Sequence, residues 1–426
     1  MTHNGWSEKF LGDIATFSQG KQIPVQEQYR DREDGYVRFL RIVDFTNEAE
    51  PIRYVKNYGD KYLVGKKDLV MIRYGSKTAG KVVRGYEGLI ANNMFKINFS
   101  DEIDTDFAYY MLSMENVYNM LNAGQSSSTM PAITFGMLNK LDLLIPPLYE
   151  QKLIAKILLT IDNKIKINKQ IINTLEELAQ SIFKHWFVDF EFPNENGEPY
   201  KSSGGKFVES ELGMIPEGWT AGTIADLGSV IGGGTPSKKR NDYYTDNGIP
   251  WITPKDLSNN KNRFISKGNI DITEGGYKNS SAKLLPAGTV LFSSRAPIGY
   301  IAISKNEVTT NQGFKSVVPN SEIGTEFVYQ TIKFKTNEIK NMASGSTFKE
   351  ISGGELKKIP VIIPSLSLIQ SYNKIVEPLS KGIYNLEEET NKLTTLRDIL
   401  LPKLMSGEIR VGEAEEEVGA CLEKVN

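Results

Sequence analysis

The chain has 426 residues, of which 40% are hydrophobic and 24% are charged, and its formal net charge is −2 at pH 7. The length predicts roughly two to four domains, and the composition is that of a globular rather than a disordered chain. No apolar run in the sequence approaches the roughly 18 residues that would cross a membrane. Because the net charge is near zero, a nucleic-acid-binding function would have to depend on local basic clusters rather than on bulk charge.

Residues 1–146 predict a first α+β domain. Short runs of β-type residues, such as VMIRY over residues 70–74, are broken by Gly, Pro, Asn and Ser, which indicates strands connected by turns. The segment 104–123 predicts one short helix that ends near the Gly- and Ser-rich loop AGQSSST. We therefore expect a small mixed domain with many loops on one surface.

A long amphipathic helix is predicted over residues 147–188. Its apolar positions alternate in steps of four and three, which is the heptad pattern of a coiled-coil seam. The seam positions are Ile154, Leu158, Ile161, Ile165, Asn168, Ile172, Leu175, Ala179 and Ile182. A polar residue such as Asn168 inside a seam can select the register of helix pairing.

The second half of the chain repeats this order. Residues 189–218 are rich in Gly, Pro, Ser and charged residues and predict a linker, residues 219–364 predict a second α+β domain, and residues 365–405 predict a second heptad helix. The seam of this helix consists of Tyr372, Val376, Leu379, Ile383, Leu386, Thr390, Leu393, Arg397 and Leu400. In the remaining segment, 406–426, the acidic stretch GEAEEEVGA predicts a frayed, solvated tail.

The similarity between the halves extends to individual residues. STMPAITFGMLNKLDLLIP (128–146) aligns with STFKEISGGELKKIPVIIP (346–364) without a gap at an offset of 218 positions, which is also the offset of the two heptad helices. Further matches keep the same order: VRFLRIVDF with IPWITPKDL, DLVMIRYGSKTAGKVV with GTVLFSSRAPIGYIAI, and IANNMFKI with TTNQGFKSV. The chain is therefore predicted to be a duplicated domain, each copy followed by a helix.

The two heptad helices need partners for their seams, and the simplest partner of each is the other. Two equivalent domains related by a pseudo-twofold axis require antiparallel helices, so we expect an antiparallel coiled coil. With roughly 35 residues in each helix, the pair would be about 50 Å long. The alternative is that each helix packs on its own domain as an ordinary amphipathic helix.

Motifs for covalent chemistry are missing. GSKT (75–78) resembles part of a phosphate-binding loop, but Val70 stands where that motif requires its first glycine. A single cysteine, Cys421, and two histidines argue against a zinc site and exclude an internal disulfide. The first residues also lack a secretion signal. The sequence therefore predicts a cytoplasmic protein that is not an enzyme and holds no metal or cofactor of its own.

Several loops combine cations, amides and small residues, and these loops predict a DNA-binding surface. Lys and Arg neutralise phosphates, Arg pairs with guanine, and Asn or Gln pairs with adenine. The candidates in the first half are Lys21, Arg38, Arg41, Arg73, Lys77, Asn92, Asn93, Ser127 and Ser128. Those in the second half are Lys238, Lys239, Arg240, Lys255, Arg295, Asn311, Gln312, Ser346 and Thr347. Each has a structural alternative, since such residues also occur on solvated surfaces, in turns and at helix caps.

The order and duplication of these segments resemble the specificity subunit, HsdS, of Type I restriction–modification systems. IPPLYEQ (145–151) matches the LPPLxEQ that leads into the spacer helix of that family, and LRDILLPKLMSGEIRV (396–411) is typical of its C-terminal part. The second copy of the first motif, IPSLSLIQ, departs from the pattern. The resemblance covers nearly the whole chain.

The resemblance implies two target-recognition domains, 1–146 and 219–364, that each bind one half of a bipartite double-stranded DNA site. It implies that the spacer helices, 147–188 and 365–405, set the gap between the half-sites and dock two methyltransferase subunits, which restriction subunits join. S-adenosylmethionine, ATP and Mg²⁺ would then belong to the partner subunits. Two other classes stay open: a scaffold whose duplicated domains bind proteins without reading DNA, and an enzyme with a fused recognition half.

Overall fold

The computed structural model describes residues 5–47, 49–123, 132–295, 297–343 and 349–423. The chain divides into two compact units. Unit 1 contains residues 1–166 and 391–426, and unit 2 contains residues 167–390. In the described part of the chain, no helix combines the length and the apolar character that crossing a membrane requires.

Unit 1 contains a mixed α+β domain. Its strands are β1 (Ser7–Phe10), β2 (Ala15–Gln19), β3 (Tyr36–Leu40), β4 (Arg53–Lys56), β5 (Leu63–Val64), β6 (Leu69–Ile72), β7 (Val82–Val83), β8 (Gly88–Ile90), β9 (Met94–Phe99) and β10 (Asp142–Ile145). Its helices are α1 (Leu11–Ile14), α2 (Ile42–Thr46), α3 (Thr105–Leu112), α4 (Glu115–Asn122) and α5 (Phe135–Asn139). β1 pairs with β10, and two four-stranded sheets have the orders β2-β9-β6-β7 and β4-β3-β8-β5.

Strand β6 shows why this domain needs two cores. All four of its residues are buried, and successive side chains of a strand point to opposite faces. Leu69 and Met71 join one apolar cluster, whereas Val70 and Ile72 join another. The strand is therefore covered on both faces, which explains its continuous run of apolar residues.

The helix predicted over residues 104–123 is interrupted. It forms α3 and α4, because the chain becomes extended at Met114 (φ −64°, ψ 144°). The Ser113 hydroxyl donates to the Tyr109 carbonyl (2.6 Å), a local bond of the kind that competes with helix propagation. The corresponding helix of unit 2 has no such break.

The first long helix, α6 (Leu148–Phe187), begins in unit 1 and ends in unit 2. The strands of unit 2 are β11 (Phe207–Ser210), β12 (Gly213–Pro216), β13 (Thr220–Thr223), β14 (Gly228–Gly232), β15 (Tyr244–Thr245), β16 (Ile249–Ile252), β17 (Phe264–Ile265), β18 (Ile270–Ile272), β19 (Val290–Phe292), β20 (Ile301–Ser304), β21 (Thr309–Thr310), β22 (Lys315–Pro319) and β23 (Pro360–Ile363). Its shorter helices are α7 (Ile224–Leu227), α8 (Pro254–Asn259), α9 (Glu274–Lys278), α10 (Thr325–Met342) and α11 (Gly353–Lys357).

The sheets of unit 2 follow the plan of unit 1. β13 pairs with β23, and the larger sheets have the orders β14-β22-β19-β20-β17 and β15-β18-β16-β21. The segment 189–218, predicted as a linker, contains the β11–β12 hairpin and an aromatic stack. In this stack the Phe192 ring lies 4.5 Å from the Tyr200 ring and 4.9 Å from the Trp219 ring, between centroids.

The second long helix, α12 (Leu366–Ser406), begins in unit 2 and ends in unit 1, and it is followed by α13 (Val411–Glu423). Helix α13 differs from the frayed tail that its acidic composition predicted. Ala414 and Val418 are buried in the main core of unit 1, and Val411 and Leu422 pack against it. These residues follow one another at steps of three and four, so the acidic segment has an apolar stripe on one face. Burial of this stripe against the core of unit 1 stabilises the helix.

Helices α6 and α12 pair in antiparallel orientation, as predicted. In unit 1, Arg397 Nη1 donates to Asp162 Oδ1 (3.0 Å). In unit 2, Asn168 Nδ2 donates to Glu389 Oε2 (2.8 Å), and a Cβ at Gly382 would lie 3.4 Å from Leu175. Residue numbers thus fall along α12 as they rise along α6.

The predicted seam positions contribute to the apolar contacts of both units. Ile154, Leu158, Ile161 and Ile165 share the core of unit 1 with Leu393 and Leu400. In unit 2, Val376 and Ile383 are fully buried. Four further seam positions of unit 2 are half-buried: Ile172, Leu175, Leu379 and Leu386.

Candidate nucleic-acid interface

The strands that carry the predicted loops have the same hydrogen-bond frame in both units. In unit 1, Gly20 follows β2 and donates from its backbone N–H to the carbonyl of Met94 (3.1 Å). In unit 2, Gly233 follows β14 and donates to the carbonyl of Phe314 (3.3 Å). The pairs Gly20–Met94 and Gly233–Phe314 are therefore structurally equivalent.

This frame corrects the alignment of the amide-rich loops. Similarity of sequence paired Asn92 and Asn93 with Asn311 and Gln312. Counting back from the two equivalent pairs instead places Asn92 opposite Gln312 and Asn93 opposite Gly313. The segments that precede these loops differ in length between the two units. An alignment by residue type alone therefore pairs the loop residues one position away from their structural equivalents.

The glycines after β2 and β14 bring two chain segments unusually close together. A Cβ at Gly20 would lie 2.2 Å from the carbonyl oxygen of Ala91, and one at Gly233 would lie 2.0 Å from that of Asn311. Both distances are too short for any side chain, so the close approach requires glycine. The residues that follow each glycine therefore lie directly against the amide-rich loop of their own unit.

A side-chain hydrogen bond joins the two segments in each unit. In unit 1, Asn92 Nδ2 donates to Gln22 Oε1 (3.3 Å). In unit 2, the Thr235 hydroxyl donates to Gln312 Oε1. The predicted amides thus belong to an ordered surface in each domain.

Two predicted cations of unit 1 lie over aromatic rings. Lys21 Nζ is 4.7 Å from the ring centre of Tyr58 and 5.4 Å from that of Tyr62. The guanidinium carbon of Arg73 is 4.8 Å from the ring centre of Tyr74. Such cation–π contacts orient a charge without neutralising it, so both cations keep their charge available to phosphate or to a base.

Arg73 also lies beside Asn93. The Arg73 backbone N–H donates to the Asn93 carbonyl (2.9 Å), while Arg73 Nε and Asn93 Oδ1 are buried with no hydrogen-bond partner among the described residues. A buried donor and a buried acceptor without partners are costly, which favours a ligand that would satisfy them. Lys77 is exposed nearby in sequence, and Asn92 is half-buried.

Arg38 and Arg41 have acidic partners within the domain, although Arg38 Nε, like Arg73 Nε, is buried with no hydrogen-bond partner among the described residues. Arg41 Nε donates to Asp44 (2.9 Å), and its Nη atoms donate to Glu50 (3.1 Å) and to the Pro51 carbonyl (2.9 Å). Arg38 lies 3.8 Å from the same Asp44, whose side chain is buried. The carboxylates compensate both charges, so these two arginines contribute to the stability of the domain, and their part in DNA binding stays a prediction.

In unit 2 the predicted residues Lys238, Asn311 and Gln312 line one cavity of about 380 Å³. The remaining lining residues are Thr235, Tyr244, Trp251, Thr253 and Ile270. The cavity therefore combines aromatic and aliphatic walls with a polar rim. This combination is typical of ligand sites.

The loop that forms one side of this cavity is held by its backbone and by two aromatic side chains. Gly234 N donates to the Thr310 carbonyl (2.8 Å). Trp251 Nε1 donates to the Gly234 carbonyl (3.0 Å), and the Tyr244 hydroxyl donates to the Pro236 carbonyl (2.7 Å). Burial raises the pKa of Tyr244, so its hydroxyl stays a donor. The cavity is thus preformed.

The other cations of the second half differ in availability. Lys239 and Lys255 are exposed. Arg240 forms two hydrogen bonds with Asp242 (2.8 and 2.7 Å), and these bonds hold the pKa of the Asp242 carboxyl below its usual value. The Arg240 side chain is 58% exposed, so this local pair can open at little cost to meet a phosphate.

Arg295 is partly engaged by a carboxylate. Its Nη1 lies 3.3 Å from Glu350 Oε2, and about a third of each side chain is exposed. Four predicted residues lie outside the described part of the chain: Ser127, Ser128, Ser346 and Thr347.

Sequence reasoning missed the aromatic partners of these cations. Tyr58 and Tyr62 are far from Lys21 in sequence, and only the pairing of distant strands brings them together. Tyr244 and Trp251 follow the basic run 238–240 closely, so their proximity was a usable signal. Within the described ranges, no cluster of His, Cys, Asp and Glu is arranged to hold a metal ion.

Comparisons with known proteins place this duplicated architecture in a family. Residues 3–177 and 216–396 match the family described as "Type I restriction modification DNA specificity domain". The chain belongs to this family, because the match covers most of its length in two copies.

Two relatives and one solved structure extend this result. The chain is 45% identical over 162 residues to the Type I restriction enzyme MjaIX specificity subunit of Methanocaldococcus jannaschii, a match that covers 38% of this chain and 37% of that protein. It is 30% identical over 344 residues to the HindI specificity subunit of Haemophilus influenzae, covering 68% and 74%. The S subunit of a Type I system from M. genitalium has the same fold, with a TM-score of 0.60, 19% identity, and coverage of 94% and 96%.

Proposed function

We propose that this chain is the DNA sequence-specificity subunit of a Type I restriction–modification complex. The observation that carries this proposal is the repeated crossover of two polar segments at Gly20 and Gly233, which presents amides and cations from equivalent strands of two domains. Each domain would bind one half of a bipartite double-stranded DNA site. The comparisons lend no support to a scaffold that does not read DNA.

The chemistry of the two surfaces suits DNA. In unit 1, Arg73 and Asn93 offer an unpaired donor and an unpaired acceptor, and Lys21 offers a cation. In unit 2, Lys238 and Gln312 stand at the rim of the cavity. Cations bind the phosphate backbone and fix position, whereas Arg, Asn and Gln discriminate between base edges.

We further propose that the helix pair sets the gap between the half-sites. Helix α6 has 40 residues and α12 has 41, and each is uninterrupted across the boundary between the units. A helix of this length extends about 60 Å. The fully buried Asn168, bonded to Glu389, would fix the register of the pair, because any slip would leave buried polar groups unmatched.

The methyltransferase subunits would dock on the helices. Ile167, Ile171 and Leu178 of α6 are 49%, 42% and 46% exposed, and their steps of four and seven place them in one row. An exposed row of large apolar side chains favours a protein partner. Catalysis, S-adenosylmethionine, ATP and Mg²⁺ would reside on the methyltransferase and restriction subunits, and the complex would act in the cytoplasm.

Insertion of one heptad into both helices tests the spacing function. Seven residues added between Lys166 and Ile167, and seven between Thr390 and Asn391, leave the internal contacts of both units intact. Because seven helical residues add about 10 Å and one base pair about 3.4 Å, we expect the gap in the methylated motif to grow by about three base pairs while the half-site letters stay the same.

The control carries the same heptad at the exposed turn between β11 and β12, where it should leave the gap unchanged. The readout is sequencing of methylated bases in DNA from cells that carry the variant and its methyltransferase. An unchanged gap in the double-insertion variant would contradict the spacing function.

A further inference from the structure

The cavity of unit 2 has a shape that does not suit the reading of a groove. Base edges in a DNA groove are recessed, and proteins read them with side chains that project. A cavity of about 380 Å³ instead receives a group that projects from the DNA, and its volume lies within the range of about 300–1,000 Å³ found for small-molecule sites. The group that DNA can project into such a cavity is a base that has left the stack.

Two aromatic side chains, Trp251 and Tyr244, form part of the cavity wall. Trp251 is 6% exposed, and its ring centre lies 5.8 Å from that of Tyr244 at an angle of 64°. The indole N–H and the phenol hydroxyl are both committed to carbonyls of the neighbouring loop, and the Thr253 hydroxyl is committed to Asp256 (2.6 Å). What these side chains offer a ligand is therefore stacking surface, which binds bases well.

The rim of the cavity presents hydrogen-bond donors. Gln312 Oε1 accepts from Thr235, and Asn311 Oδ1 accepts from the Gly313 N–H (2.9 Å), so the amide oxygens are occupied. The amide NH₂ groups of both residues and the Lys238 ammonium remain as donors, without partners in the described part of the chain. A donor-rich rim complements carbonyl oxygens, of which thymine has two.

We propose that this cavity binds one unstacked, carbonyl-bearing base of the recognised duplex, with thymine as the best fit; this rests on the DNA-binding function proposed above. Because the rings of Trp251 and Tyr244 are inclined at 64°, the base stacks on one of them and meets the other edge to face, while Gln312, Asn311 and Lys238 donate to its carbonyls. Unit 1 differs at this point, because the position of Gly234 is occupied by Lys21, whose side chain lies against two tyrosines.

The test uses the full chain assembled with its methyltransferase subunits and duplexes that carry a single mismatch at each position in turn. A mismatch removes the cost of unpairing, a few kcal/mol, so binding should tighten by about 10–100-fold at the position of the unstacked base. An abasic nucleotide at this position should remove the gain.

Gln312→Ala assigns the gain to this cavity. We expect it to abolish the gain at that one position, with Lys261→Ala, an exposed residue that does not line the cavity, as the matched control. Trp251→Phe, which keeps a stacking surface, should retain most of the gain. If the mismatched duplex still binds more tightly to the Gln312→Ala variant, that gain in affinity belongs to the methyltransferase subunits. If no other mismatch position increases the affinity, the inference is overturned.

Competition distinguishes a base site from a phosphate site. Thymidine monophosphate should compete for the cavity, whereas inorganic phosphate should not, and equal competition by both would overturn the inference. If the assembled complex shows no sequence preference at all, both this inference and the DNA-binding function fail. If sequence preference is present without a Gln312-dependent gain, only this inference fails.

Discussion

The two units share a strand frame but fasten it to the long helices with different chemistry. In unit 1, Asp162 of α6 accepts hydrogen bonds from the Tyr110 hydroxyl (2.7 Å) and from Arg397 of α12 (3.0 Å), and Asp162 and Arg397 are each about one-third exposed. In unit 2, the corresponding role falls to Arg263, whose side chain is 2% exposed and pairs with Glu176 of α6 (2.9 Å) and with Glu326 of α10.

The cluster around Arg263 also uses the backbone. Glu387 of α12 accepts from the N–H groups of Arg263 (2.5 Å) and Phe264 (3.1 Å), and the ring of Tyr329 lies 4.3 Å from the Arg263 guanidinium carbon. A charge buried in this way is tolerated only when its partners are all in place. The comparison shows that the apolar frame of the repeat is retained while its polar attachments differ, so each domain depends on contacts of its own.

The largest expected effect comes from removing the buried cation. Arg263→Met leaves the buried Glu326 without a cationic partner and leaves Glu176 with Lys333 alone (2.6 Å), and it should lower the free energy of unfolding of unit 2 by about 3–5 kcal/mol. The matched change in unit 1, Arg397→Met, affects a partly solvated pair and should cost about 1 kcal/mol or less. Denaturant unfolding, with hydrogen exchange to assign the unit, measures both. Equal losses would show that the two attachments are energetically alike.

A smaller effect is a dependence of the stability of unit 2 on pH, which arises from Glu387. Burial raises the pKa of Glu387 to about 7, although the N–H groups of Arg263 and Phe264 and the nearby Lys305 oppose the shift. The folded state therefore binds more protons than the unfolded state between about pH 4.5 and 7, so the stability that Glu387 contributes falls as pH rises through this window.

Glu387→Gln removes this titration. The difference in unfolding free energy between the variant and the original chain should move by up to about 3 kcal/mol in favour of the variant from pH 4.5 to pH 7.5, at about 1.4 kcal/mol for each unit of pKa shift. Unfolding titrations across this range measure the difference. A difference that is constant with pH would contradict the assignment of a raised pKa to Glu387.

Two arginines of unit 1 provide the smallest and most selective comparison. Arg73→Ala should relax base preference at one position of a half-site by about 1–3 kcal/mol, or roughly 10–100-fold, and leave the unfolding transition unchanged. Arg41→Ala should do the reverse, because Asp44 and Glu50 lose their partner: the unfolding free energy falls by about 1–3 kcal/mol while the methylated motif stays the same. Thermal unfolding and sequencing of methylated bases measure both variants, each serving as the control for the other.

Much of the architecture could be predicted from the sequence, because the internal repeat and the heptad spacing of apolar residues can be recognised in the sequence alone. The α+β domains, the two long helices and their antiparallel pairing follow from such patterns, and the structure confirms them. Helix α13 could also have been found, since Val411, Ala414 and Val418 form an apolar stripe; its glutamates obscured the stripe.

The details of the interface could not be predicted in the same way. That Arg41 is bound by Asp44 and Glu50, and that Lys21 rests on Tyr58, depends on how loops and distant strands pack. The one-residue shift that pairs Asn92 with Gln312 appears only in the hydrogen-bond register. Similar residues in the two halves of the sequence therefore indicate that a loop is repeated, but they do not establish which residues are structurally equivalent.

The central claim is that two domains of one chain read two separate parts of a DNA site. Exchange of residues 1–146 for the corresponding domain of another family member, followed by sequencing of methylated bases in cells that also carry the methyltransferase, tests it most directly. We expect a motif with two specified parts, of which only one changes while the gap and the other part stay the same. A motif that changes in both parts, or in neither, would contradict the account.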